Sequence, residues 1–127
     1  MSNQIPNPNN QKKYDLIERT AKFGETIIEF ANSIRETAIN RPLIMQVVRS
    51  GTSIGANYME ADGAESKKDF AYKISLCRKE AKETSYWLQM LAKANPNKKT
   101  ICRMLWKESH ELTLIFSSIL KSIKRKD

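Results

Sequence analysis

The sequence is short of the residues on which most catalytic and metal chemistry depends, with one histidine, His110, and two cysteines, Cys77 and Cys102, among 127 residues. A di-metal carboxylate bundle wants a Glu-x-x-His on each of two helices, and the residue three before His110 is Lys107. The cysteines stand far apart without C-x-x-C spacing, so they read as thiols in a reducing compartment and as small core hydrophobes, with no zinc site between them. No metal and no cofactor is expected. Apolar runs fall short of the roughly 18 residues that a membrane span requires. The opening MSNQIPNPNNQ lacks the charged-then-apolar order of a secretion signal, so the expected location is the cytoplasm, with no membrane partner. Strand-period alternation is missing too, which excludes a sheet architecture.

What is present is apolar spacing at the helical period. Residues 1–11, with two prolines and one isolated Ile5, read as a disordered N-terminal tail, and residues 12–127 as the folded unit. A first helix is expected to open near Asp15 and stop near Glu36 to Asn40, burying Leu16, Phe23, Ile27, Phe30 and Ile34. Asn40 is a candidate cap for a second helix with Pro42 in its first turn and a stripe of Leu43, Val47, Gly51, Ile54, Gly55 and Tyr58, ending at Gly63. Ser66 and Asp69 resemble a capping box ahead of Phe70, Ile74, Cys77, Ala81, Thr84, Leu88 and Leu91, which alternate steps of four and three. Asn95-Pro96-Asn97 breaks that seam and offers a new cap, and Ile101, Leu105, Leu112, Phe116, Ile119 and Ile123 continue to the C-terminus. Connections this short predict an all-α, up-down-up-down antiparallel four-helix bundle.

Charge is unevenly placed. Up to Glu65 there are 7 Lys and Arg against 8 Asp and Glu, a net −1, whereas from Ser66 onward 15 stand against 6, a net +9. The excess falls in the third helix and in a terminal cluster, and it implies an anionic partner. The candidate nucleic-acid-binding residues are Lys73, Arg78, Lys79, Lys82, Lys124, Arg125 and Lys126, which reach phosphates without reading base edges. Glu80 and Glu83 partly offset the third helix, through pairs at three or four residues' spacing. Tyr86, Trp87 and Trp106 lie at or beside the seams, where core or interface packing is the first expectation and base stacking the second.

The string Gly51-Thr52-Ser53-Ile54-Gly55 satisfies G-x-S-x-G, but a nucleophile elbow needs a strand before it, a sheet around it, and an acid then a histidine downstream. Glycines four apart on a helix serve instead to let a neighbouring backbone approach. Beside them Arg49, Ser53, Asn57 and Glu60 form a polar stripe at steps of four, four and three, expected to be at least partly covered within the bundle or by another subunit. With Gly51 and Gly55 they are the candidate packing and oligomer stripe. Arg49 and Glu60 are roughly 16 Å apart along one helix and cannot pair with each other.

The run from Arg49 to Ala61 resembles the signature R-x-x-x-S-I-x-x-N-x-x-E of the 23S rRNA intervening-sequence proteins, also called S23 ribosomal proteins. Lys68-Asp69-Phe70 and the stretch Lys79 to Thr84 leading into Tyr86-Trp87-Leu88 extend the resemblance, which covers about Tyr14 to Ile123. The chain departs from it in having Glu60-Ala61 where the family has Glu-Gly. The resemblance implies a bacterial four-helix bundle that assembles as a homo-oligomer, a pentamer in structures of this kind, and that has no established enzymatic activity. It also implies similarity to the accessory protein of diversity-generating retroelements, hence RNA or DNA and a reverse transcriptase or other protein as partners. The alternative is an oligomeric scaffold whose basic face recruits an acidic protein.

Overall fold

The computed structural model describes residues 8–126, with side chains for 16–125. Four helices follow one another, α1 (Pro8–Ser33), α2 (Asn40–Asp62), α3 (Lys67–Ala94) and α4 (Lys99–Lys126), with a 3₁₀ turn at Pro96–Lys98 before the last. No strand occurs among the described residues. Helix α1 opens ahead of Asp15, at a proline, whose fixed φ suits a first helical position, and so takes in the end of the expected tail. The remainder of that tail, 1–7, lies outside the described residues.

Successive helices pack against one another in an antiparallel bundle, while α1 and α4 do not approach closely and meet through long side chains. The seam of α3 follows its spacing, with Ile74, Cys77, Ala81, Thr84, Leu88 and Leu91 all buried and Phe70 at its start half-buried. They face Phe23, Ile27 and Phe30 of α1, Val47, Ile54 and Tyr58 of α2, and Leu105, Leu112 and Phe116 of α4 in one continuous core. Each fully buried Leu, Ile or Phe contributes about 1.5–3 kcal/mol over its exposed state. Burial pushes the Cys77 thiol up to about 12 and the Cys102 thiol up to about 11, so both stay protonated at neutral pH.

Caps set the corners, in one place differently from the spacing. Ser66 Oγ accepts the Asp69 N–H at 3.0 Å, which is the first of the two bonds of a capping box. At the start of α2 the cap is Thr37 rather than Asn40. Thr37 Oγ1 accepts the Asn40 N–H at 3.0 Å, and its carbonyl accepts the Arg41 N–H at 3.0 Å. Asn40 is thereby released to turn inward, where its amide and that of Asn95 exchange two hydrogen bonds of 2.8 Å. The two residues that each resemble a cap therefore fasten the α1–α2 corner to the α3–α4 corner.

Gly51 and Gly55 bring α1 and α2 together. A Cβ at Gly51 would lie 3.0 Å from Ile27 Cγ1 and Cγ2, and one at Gly55 would lie 3.3 Å from Thr20 Oγ1 and 3.4 Å from the Thr20 backbone. Side chains at either point would hold the helices apart.

Candidate functional site

Two arginines of the first half organise the charge of the second. Arg19 of α1 donates from Nε and Nη2 to both carboxylate oxygens of Glu108, at 2.7 and 2.8 Å, and its Nη2 stands 3.1 Å from Glu111. Arg49 of α2 lies 3.3 Å from both carboxylate oxygens of Glu80 and also pairs with Glu83, whose Oε2 accepts the Trp87 indole N–H at 3.1 Å. The hydrogen bond to Glu108 leads the influences that raise the Arg19 pKa. For Arg49, desolvation opposes the charged form but is outweighed by the hydrogen bonds and charges of Glu80 and Glu83, so its pKa is raised too. Each arginine thus clasps a pair of glutamates three apart on a helix of the other half.

The clasps draw Glu80 and Glu83 toward α2 and Glu108 and Glu111 toward α1, with Glu111 still exposed. Among the described residues Arg78, Lys79, Lys82, Lys124 and Arg125 have no ion-pair partner. Lys79, Lys82, Lys124 and Arg125 are exposed and Arg78 is half-buried, while the side chain of Lys126 lies outside the described residues. Glu80 and Glu83, expected to offset the lysines of their own helix, are engaged by Arg49 instead. Lys73 stands apart from the other candidates. It sits on the flank of α3 that meets α2 and donates to Glu60 Oε1 at 2.8 Å, which raises its pKa.

The polar stripe of α2 is accounted for in the same way. Its ends, Arg49 and Glu60, are exposed and hold Glu80, Glu83 and Lys73 of α3; its middle, Ser53 and Asn57, is half-buried. Ser53 Oγ donates to the Arg49 carbonyl at 2.5 Å, and Asn57 Nδ2 to the Ser53 carbonyl at 2.9 Å. Ser53 therefore spends its hydroxyl on its own helix, and His110 stacks on Trp106 with ring centroids 4.9 Å apart. Among the described residues no three His, Cys, Asp or Glu cluster as metal ligands would.

Sequence reasoning missed the outermost face of α3. Lys68, Tyr72, Ser75, Lys79, Lys82, Tyr86, Gln89 and Lys93 recur at steps of four and three on the side opposite the buried seam, and all but Ser75 are exposed. The same spacing that reveals the seam marks this second stripe, but a reading fixed on apolar residues passes over it. Trp87 is partly buried against the core, whereas Tyr72, Tyr86 and Trp106 are 58%, 52% and 38% exposed. A different surface covers α1 and α2, where a shallow apolar groove includes Ala21, Ile28, Ala56 and Met59.

A family model described as 23S rRNA-intervening sequence protein matches residues 12–118. Four chains of solved structures also match. One of them, from Bacteroides thetaiotaomicron VPI-5482, is described as a protein with unknown function from the S23 ribosomal protein family. It is 32% identical, with a TM-score of 0.74, over 84% of this chain and 98% of that one. No curated protein matches.

Proposed function

This chain belongs to the 23S rRNA-intervening sequence protein family, and starting there we propose that it binds RNA or DNA through the outward basic faces of α3 and α4, as a homo-oligomer and without catalysing a reaction. The observation that carries the reading is the pair of arginine clasps. The second half's four glutamates, Glu80, Glu83, Glu108 and Glu111, are held by Arg19 and Arg49, and Lys79, Lys82, Lys124 and Arg125 face outward with no ion-pair partner among the described residues. A face meant only for solubility gains from interspersed signs, whereas a polyanion site gains from a single sign. Support for assembly comes from the apolar residues left at the surface of α1 and α2, with Ile28, Met45 and Met59 44%, 68% and 57% exposed. The pentamer is taken from the family resemblance. No helix of the described residues is long and apolar enough to cross a membrane.

Fluorescence anisotropy with labelled RNA and DNA across a salt series tests the reading, with light scattering for the assembly. Affinity should fall with salt, at a slope of about −0.9 per phosphate contact on duplex DNA and about −0.7 on single strands. The Lys79→Glu/Lys82→Glu variant should bind every sequence more weakly with a shallower slope, while the oligomer is kept. Binding that is absent at low salt, or unchanged in that variant, would favour a scaffold for an acidic protein.

A further inference from the structure

We infer that the outermost stripe of α3 is a track for single-stranded nucleic acid, on which Tyr72 and Tyr86 stack unpaired bases between lysines that hold the phosphates. The inference rests on the nucleic-acid reading above and narrows its ligand.

Three observations lead to it. Lys68, Tyr72, Lys79, Lys82, Tyr86 and Lys93 lie on one line along α3, a span of about 37 Å from first to last at 1.5 Å per residue. Both tyrosines on that line are more than half exposed as residues. None of the four lysines has an ion-pair partner among the described residues, and the acids beside Lys79 and Lys82, Glu80 and Glu83, are drawn aside by Arg49.

Heptad-spaced faces commonly pack on another helix, and the charge decides against a second copy here. Two such stripes brought together would oppose lysine to lysine with no carboxylate between them. A polyanion fits, and the rings select its form. A duplex offers a basic helix only phosphates along its edge, since its bases already stack on each other. A single strand offers both phosphates and open base faces, and every base can stack on a phenol ring whatever its identity. Exposed aromatics between cations on one face thus favour a single strand without sequence preference.

The test compares a labelled 20-nucleotide dT or rU strand with a 20-base-pair duplex at one salt concentration, using the full chain. The single strand is expected to bind at least about tenfold more tightly. Tyr72→Ala and Tyr86→Ala should each weaken single-strand binding by about tenfold. Neither should change duplex affinity or the salt slope, while Tyr72→Phe and Tyr86→Phe keep the wild-type affinity. Circular dichroism should show each variant as helical as the parent, since both rings lie outside the core. If the duplex binds as tightly as the strand and the alanine variants bind like the parent, the track is overturned while phosphate binding by the lysines stands. If neither form binds, the nucleic-acid reading itself falls. Stronger competition by polyglutamate than by the oligonucleotide would overturn the track in favour of an acidic protein.

Discussion

The two helix pairs of this bundle are joined by different means. Helices α1 and α2 meet at backbone distance, through Gly51 and Gly55 against Ile27 and Thr20, and the small residues that permit this leave an apolar groove outside. Helices α3 and α4 approach each other at least as closely, with the hydroxyls of Ser85 and Ser109 paired at 2.6 Å, and carry cations on their outer faces. Close approach demands small residues, which cannot carry charge, and a charged outer face needs long side chains. In α3 the two requirements fall on different faces, with Ser85 toward α4 and Lys79 and Lys82 outward, and the arginine clasps are where one half acts on the other's electrostatics.

The largest expected effect breaks the first joint. Ile27 is fully buried, so the side chain that Gly51→Leu would strike has nowhere to retreat. Overpacking of this kind costs about 3 kcal/mol or more, and a thermal melt should fall by about 10 °C or the variant should not fold. A melt within a degree or two of the parent would show that α1 and α2 are not held together there.

A middle-sized effect tests how the two pairs are fastened at their shared corner. Asn40 and Asn95 are 3% and 9% exposed and satisfy each other. Asn95→Ala leaves the Asn40 amide without that partner inside the protein, at a cost of about 1–3 kcal/mol in urea unfolding. The double variant Asn40→Ala/Asn95→Ala should cost less than the two single changes added together, because it removes both unsatisfied amides at once. Strict additivity would mean that each asparagine acts alone, as a cap.

That corner also marks where the sequence stops being legible. The seam of α3, the Ser66 cap and the spacing of Gly51 and Gly55 are all local, since each depends on residues a few positions apart on one helix. The Asn40–Asn95 pair and the Arg19–Glu108 clasp join residues 55 and 89 positions apart, and no spacing rule reaches that far. Asn40 resembles a cap because asparagine caps well; Thr37, three residues earlier, does the capping and leaves Asn40 for the interior. Glu80 and Glu83 resemble partners for Lys79 and Lys82 because helical spacing allows it. An arginine offering several donors to both acids at once, from a neighbouring helix, outcompetes single flexible lysines. The basic face is therefore more uniform in sign than its composition implies.

The smallest effect sharpens the contrast between the pairs by asking which glycine is required. Gly24 faces the same α1–α2 joint, yet a Cβ there would meet its nearest neighbours, Thr52 Cα at 3.6 Å and the Gly51 carbonyl oxygen at 3.7 Å, at ordinary contact distance. Nothing in the subunit needs to move, and alanine in a helix interior is favoured over glycine by about 0.5–1 kcal/mol. Gly24→Ala should raise the melting temperature by a few degrees, opposite in sign to Gly51→Leu at the same joint. Gly24 also lines the outer groove, so the same variant probes assembly. A stabilised subunit whose light-scattering mass falls would mean that the groove is filled by a neighbouring copy, while a stabilised subunit of unchanged mass would put the oligomer contact elsewhere. A lower melting temperature would mean that the two helices lie closer at Gly24 than these distances allow.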